Sequence, residues 1–314
     1  MKSCLSLAPL TLALALGAAP ALAAENAEAE AGAAEEQPQP PPEPAPAPPA
    51  PPPFAFTKPV FDETWATIGL GAGLVPSYAG SNDYIAFPLP LIAGRVGGVG
   101  ISPNGPGFVL DLNPGKPGLA PRKGARIAFG PAFRFRNDRN NRISDEVVAR
   151  AGELDAALEV GANVAVSIPN VVKPFDALSI GVQARRDVLG AHEGWAIEPQ
   201  VGYRALVGKA FTLQAQVSVE IVTDRFADFY FSVTPAQSAA TGLAQFRADG
   251  GVNRIGKTAI LAYDLDRNPL NGGWSLTGVG GYSRLLGDGA DTPYTSVRGD
   301  ANQFILGGGV AFTF

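Results

Sequence analysis

The chain has 314 residues, 46% hydrophobic but only 17% charged, with 38 Gly, 29 Pro and single Cys, His and Met residues. Its formal net charge of -5 excludes the basic surface that nucleic-acid binding needs, so no nucleic-acid partner is expected. One Cys and one His exclude disulfide frameworks and His/Cys metal centres, and past the N-terminus no apolar run is long enough for a spanning helix.

The N-terminus reads as a processing signal. Lys2 supplies a positive first region, Leu5 to Leu16 form an apolar stretch too short to span, and Ala21-Leu22-Ala23 is an A-x-A cleavage site. Residues 1–23 are therefore expected to be removed, leaving Ala24 as the first mature residue. Cys4 lies inside that signal and away from the junction, so no lipid anchor is expected and the mature chain holds no thiol.

Residues 24–60 are first Ala/Glu-rich and then Pro-dominated from Pro38 to Pro53. Such sequence cannot build a core, and its prolines favour extended polyproline II. At about 3.1 Å per residue, Ala24 to Pro53 reaches up to ~90 Å. The expectation is a disordered tail in the periplasm, acting as a spacer, a tether or a docking segment for a Pro-recognising partner.

From Trp65 the hydrophobic period becomes two. In Trp65 to Leu74, Ile68, Leu70, Ala72 and Leu74 alternate with Gly69, Gly71 and Gly73. Ile127, Phe129, Phe133 and Phe135 oppose Arg126, Arg134 and Arg136, and Leu154 to Ile168 sets Leu158, Val160, Val164 and Val166 against Asp155, Glu159 and Asn163. Ile197, Val201 and Tyr203 oppose Glu198, Gln200 and Arg204, while Leu213, Val217, Val219 and Ile221 oppose Gln214, Gln216, Ser218 and Glu220. Alternation over such lengths needs one apolar and one polar environment, as a tilted membrane strand has. Residues 61–314 are thus expected to be an all-β, antiparallel outer-membrane β-barrel of twelve strands, or ten if the weakly marked strands around Ile101 and Val109 are absent. Small residues on the polar face relieve crowding in a narrow lumen.

Short turns are expected at Arg95–Gly98, Asn170–Lys173, Gly208–Lys209 and Asp266–Gly272, with a longer one at Asn113–Gly124. External loops are expected at Pro76–Asp83, Asn137–Gly152, Leu189–Glu193, Thr223–Arg254 and Leu286–Ala301. Phe226, Phe229, Tyr230 and Phe231 in the fourth loop are read either as a binding surface or as a rim girdle. In the last strand Phe304, Leu306, Gly308, Val310, Phe312 and Phe314 alternate to an aromatic end, the pattern expected of a recognition strand for the barrel insertion machinery.

Chemistry is sparse. His192, followed by Glu193 and flanked by Gly190 and Gly194, is read as a solvated loop residue rather than half of an acid/base pair. No catalytic residue, cofactor or metal is assigned. The lumen-side charges Arg126, Arg134, Arg136, Asp155, Glu159, Arg185, Glu198, Arg204 and Glu220 are read as setting solute selectivity or as pairing across neighbouring strands; their mixed signs in a narrow barrel favour pairing.

The stretch Gly69 to Tyr84 with Pro88-Leu-Pro-Leu91, the block Phe231 to Leu243, and Gly281 to Asp288 resemble the MipA/OmpV family, over about Trp65 to Phe314. The Pro-rich tail is outside that family pattern. The resemblance implies a non-enzymatic scaffold in the cell outer membrane, partnering a murein lytic transglycosylase and a penicillin-binding protein, alongside outer-membrane lipid and the insertion machinery. It also leaves open a small-solute diffusion channel and a surface adhesin acting through the external loops.

Overall fold

A computed structural model describes residues 60–62, 64–114, 124–140 and 142–314. The expected signal, nearly all of the Pro-rich tail and most of the longer turn at 113–124 lie outside the described residues. Twelve antiparallel strands follow one another in sequence order: β1 (Trp65–Pro76), β2 (Tyr84–Val96), β3 (Val99–Pro103), β4 (Gly107–Asp111), β5 (Arg126–Arg136), β6 (Ala157–Pro169), β7 (Ala177–Asp187), β8 (Trp195–Val207), β9 (Phe211–Val222), β10 (Gly251–Asp264), β11 (Gly273–Leu285) and β12 (Asn302–Thr313). β1 pairs with both β2 and β12, so the sheet closes into a barrel with no free edge across that seam. The twelve-strand expectation holds. The two weakly marked strands exist, and at five residues each they are the shortest in the wall.

The barrel is inside out relative to a water-soluble protein. Leu70 and Leu306 are 66% and 68% exposed, while Arg185 and Glu159 are fully buried. That distribution requires an apolar surrounding and a polar interior, which is the membrane-spanning arrangement. Outward aromatics form a belt near each end: Trp274 stacks edge-on against Phe312 at 5.1 Å on the turn side, and Tyr282 meets Phe304 at 5.2 Å on the loop side. The eight residue steps from Trp274 to Tyr282 rise ~27 Å along β11, or ~21 Å in height at a tilt of about 40°. This matches the apolar band of an outer membrane.

Two local rules of sequence are visible in the wall. Pro88 and Pro90 sit in a stretch of β2 that pairs with β1 but extends beyond β3, which pairs only with Gly94, Arg95 and Val96; residues without an N–H are tolerated there. Inside the seam, a Cβ placed on Gly73 or Gly307 would lie 2.7 and 2.5 Å from Leu89 Cδ1. The glycines of β1 and β12 therefore make the space that the inward leucine of β2 fills.

The ten expected connections fall on the two sides anticipated, with boundaries shifted by a few residues. The largest shifts are in the loops: β6 starts at Ala157 and β10 at Gly251. The loop side also carries five short helices: α1 (Glu146–Ala149), α2 (Asp224–Phe231), α3 (Pro235–Thr241), α4 (Asp288–Asp291) and α5 (Pro293–Ser296). α3 is fully specified locally: Thr234 and Gln237 form a capping box, Pro235 opens the first turn, and Gly242 closes it at φ 76°. Among the described residues no helix is long and apolar enough to cross a membrane.

Candidate functional site

The loop-side half of the lumen is filled by charge. Arg134 and Arg136 on β5, Glu159 on β6, Arg185 on β7, Glu198 on β8 and Glu220 on β9 all belong to one network. Arg134 reaches Glu198 at 3.0 Å and Glu220 at 3.7 Å, and Arg185 reaches Glu159 at 3.2 Å and Glu198 at 2.8 Å. Arg136 bridges Glu159 and Glu220. β5 and β9 are not neighbours in the wall, so this bridge crosses the lumen. Pairing extends beyond the neighbouring strands that the sequence suggested, because the barrel is narrow enough for a guanidinium to span it.

Three guanidiniums stand against three carboxylates, and hydrogen bonds engage further polar atoms of the network, although Arg134 Nε is buried without a hydrogen-bond partner. Asn253 donates to Glu220 at 2.8 Å, Asn104 donates to Gln183 at 2.8 Å, and Arg134 donates to Asn104 at 3.0 Å. Charges removed from water in this way cost little only while all partners remain. Alternation identifies Gln183, which shares its parity with Arg185. Nothing local identifies Asn104, which arrives from the link between β3 and β4, or Asn253, which sits beside a bulge in the β9–β10 register.

The other sequence-predicted charges lie elsewhere. Arg126 is on the turn side, paired with Asp111 at 2.6 Å. Arg204 is on β8 near the same end, opposite Ala177 and Gln214, and is exposed. Asp155 is a correction: it precedes β6 and is solvent-exposed, because the chain before Ala157 leaves the strand so that Leu154 can pack into the loop core.

A second correction concerns His192. It is 3% exposed rather than solvated, and its partner is not Glu193, which points out to Arg225 at 2.8 Å. His192 Nδ1 accepts the Gly194 N–H at 3.0 Å, so a neutral ring carries its proton on Nε2, 3.4 Å from Glu159 Oε1. Its ring lies 4.9 Å from that of Phe226 and 5.6 Å from that of Tyr230.

Those aromatics belong to a folded cap. In α2 the buried residues Phe226, Ala227, Tyr230 and Phe231 share one helical face, which packs on Ala196, Val222 and Leu285 at the strand ends. The aromatics of this loop are therefore neither an exposed binding surface nor a rim girdle. A second cluster joins Tyr78, Val148, Val233, Leu243 and Tyr294, drawing on four different loops. Polar ties bind the loops together: Thr292 Oγ1 donates to the Phe231 carbonyl at 2.6 Å, Ala79 N–H donates to Asp138 at 2.9 Å, and the Arg139 guanidinium lies 4.2 Å over the Tyr294 ring. Arg298 Nη2 donates to Asp145 Oδ2 at 2.7 Å. Burial opposes charge on Asp145, but Arg298 and the Val147 and Val148 N–H groups outweigh it, so the carboxyl is held below the usual carboxylate range.

Below the network the lumen opens. Gln214, Gln216 and Thr258 face inward on the turn-side half and are exposed, with Gln216 donating to Gln200 at 2.8 Å. Among the described residues the lumen is thus closed at its loop end by paired charges and a folded cap, and lined below them by exposed polar side chains. Among the described residues no cluster of His, Cys, Asp or Glu has the arrangement of a metal site. Along β12 and the residue after it, Phe304, Leu306, Val310, Phe312 and Phe314 form one outward row; four of the five are about half exposed or more and Phe312 is half-buried.

Residues 68–314 match a family model described as MltA-interacting protein MipA. The chain is 26% identical over 130 residues to YiaT of Escherichia coli (strain K12), which carries the name of an outer membrane protein; the match covers 41% of this chain and 49% of YiaT. The chain spans about half the length of the curated relatives it matches. Among solved structures, the CymD monoaromatic hydrocarbon channel is 9% identical, with 79% of this chain and 87% of that one covered at a TM-score of 0.29. Pseudomonas aeruginosa OccK7 (OpdD) is 9% identical, with 83% and 99% covered at a TM-score of 0.28. At those scores neither bears on function.

Proposed function

Because this chain belongs to the MltA-interacting protein MipA family, we propose that it is a non-enzymatic outer-membrane scaffold that gathers murein-synthesising and murein-hydrolysing enzymes at its turn side. The observation that carries this reading is the closed loop end, where Arg136 bridges Glu159 and Glu220 under a packed cap. A barrel stoppered in this way is better suited to present a surface than to pass solutes. The turn side suits such presentation. Asp176 accepts the N–H groups of Val171, Val172 and Lys173 at 2.7, 3.0 and 2.9 Å and the Tyr203 hydroxyl at 2.7 Å, which fixes the β6–β7 turn in one shape. The Pro-rich tail is proposed to lie in the periplasm, where it would add reach toward such partners. The partners proposed are a lytic transglycosylase and a penicillin-binding protein, as the family description names an MltA-interacting protein. The purified barrel, used as bait in periplasmic extract, should retain murein hydrolases or synthases; retention of none would sink the scaffold reading.

The exposed inward Gln214, Gln216 and Thr258 favour a second reading, a small-solute channel that opens when the network rearranges. Planar-bilayer recording separates the two: the scaffold reading expects silence from folded protein, and steady ohmic conductance would favour the channel. An adhesin draws less support, since the loop aromatics are packed inside the cap. The outward row of β12 is proposed as the surface that the barrel insertion machinery reads, and Phe314→Ser should then lower the folded fraction recovered from the outer membrane.

A further inference from the structure

The register of β8 to β11 sets two outward rows side by side. One row holds Tyr282, Lys257, Val217 and Val201, and the next holds Gly280, Ala259, Ala215 and Tyr203. Three small residues beside three larger ones leave a shallow groove across four strands, with a volume of about 560 Å³ and an almost wholly apolar lining. Apolar surface on this face is ordinary, but a lysine there is not, because lipid-facing Lys is disfavoured unless it sits at headgroup depth or has a partner.

Lys257 has the depth. It pairs in register with Tyr282, whose ring packs on Phe304 in the loop-side aromatic belt, and its ammonium lies 5.6 Å from the Tyr282 centroid. Arg284 lies two residues further along β11 on the same outward face and is exposed. Its Nη1 donates to Asn302 Oδ1 at 3.2 Å, and that oxygen also accepts the Tyr282 hydroxyl at 2.7 Å. Among the described residues, no carboxylate lies within ion-pair distance of Lys257 or Arg284. The near acid, Asp300, is engaged by the Asn302 N–H and side-chain amide at 2.8 and 2.9 Å. Two cations at headgroup depth, uncompensated by protein and standing over an apolar groove, match the two ends of one kind of molecule.

We infer that this face is a binding site for a phosphorylated membrane lipid of the loop-side leaflet, with its phosphate held between Lys257 and Arg284 and an acyl chain laid along Gly280, Ala259 and Ala215. Charge complementarity commits the site to an anionic headgroup, and the groove commits it to a chain. The site lies on the outer wall, independent of the lumen and of the scaffold reading.

The test titrates the purified barrel in a neutral detergent with diphosphoryl lipid A, with the same lipid after enzymatic dephosphorylation, and with inorganic phosphate. The intact lipid should bind at one site, and the dephosphorylated lipid about tenfold more weakly or worse. The Lys257→Ala/Arg284→Ala double variant should lose binding to the same extent. Gly280→Leu fills open space, since a Cβ there meets nothing within 4 Å, so it should leave the fold intact and displace the chain. Folding of each variant is checked by heat-dependent gel mobility. If the double variant does not fold, Lys257→Gln and Gly280→Leu carry the test. Equal binding of the dephosphorylated lipid, or unchanged binding by the variants, overturns the site. Inorganic phosphate binding as tightly as the lipid overturns the lipid assignment and leaves a free-anion site.

Discussion

Arg136 and Glu220 meet across the lumen although three strands of wall separate them. Their contact turns six side chains scattered over five strands into one stopper, and it ties the stopper to the cap above, because the Arg136 guanidinium also lies 4.8 Å over the Phe226 ring. Removing Glu220 leaves Arg134 and Arg136 short of a counter-charge in a buried site. Glu220→Ala should therefore lower the stability of the folded barrel by about 3 kcal/mol, read as a reduced urea midpoint for unfolding from lipid vesicles. A midpoint unchanged from wild type would show that the network contributes no net stability.

His192 offers a direct reporter of the cap. It is the chain's single histidine and is 3% exposed, so diethylpyrocarbonate should modify the native protein slowly. Phe226→Ala removes the ring that covers it and should weaken local packing by roughly 3–5 kcal/mol, speeding the absorbance change at least tenfold. Equal rates in both proteins would mean that the imidazole is reached by a path that bypasses α2.

Acid should loosen the junction between the second and fifth large loops. The Asp145 carboxyl, held below its usual range by Arg298 and two backbone N–H groups, contributes stability that is fully present above its ordinary value and disappears as pH falls through the lowered one. Hydrogen exchange in residues 286–301, corrected for intrinsic rates, should accelerate below about pH 4 in the wild type. In Asp145→Asn it should already be fast at neutral pH and show no such step.

The lumenal seam is a steric fit. Gly307→Ala places a methyl 2.5 Å from Leu89 Cδ1, 2.8 Å from the Ala72 carbonyl oxygen and 2.8 Å from Gly73 Cα. It should destabilise the barrel by roughly 1–3 kcal/mol. A second change, Leu89→Ala, should restore only part of that loss, because the two backbone contacts stay. Full restoration in the unfolding midpoint would place the whole conflict on the leucine.

Much of this protein was legible residue by residue. A membrane wall imposes a strict period of two on every strand, so Ile127 to Arg136 and Phe304 to Phe314 announced their faces, and turn residues such as Gly97, Gly98 and Gly208 marked where strands reverse. The parity of Glu159, Arg185, Glu198 and Glu220 even announced that they point inward. The helices of the cap were hidden, since the face made by Phe226, Ala227, Tyr230 and Phe231 is a short helical period among long strand periods.

By itself, then, the sequence determined the class and the orientation of most strand faces and narrowed the strand count to twelve or ten, because these depend on local alternation; the structure settled on twelve. Only the tertiary structure decided that Arg136 reaches Glu220, that Asp155 lies outside the lumen, and that His192 is sealed beneath Phe226. Those facts depend on the bore of the closed barrel and on which loops meet above it. Both are set by pairings between residues far apart in the chain, and no local pattern encodes them.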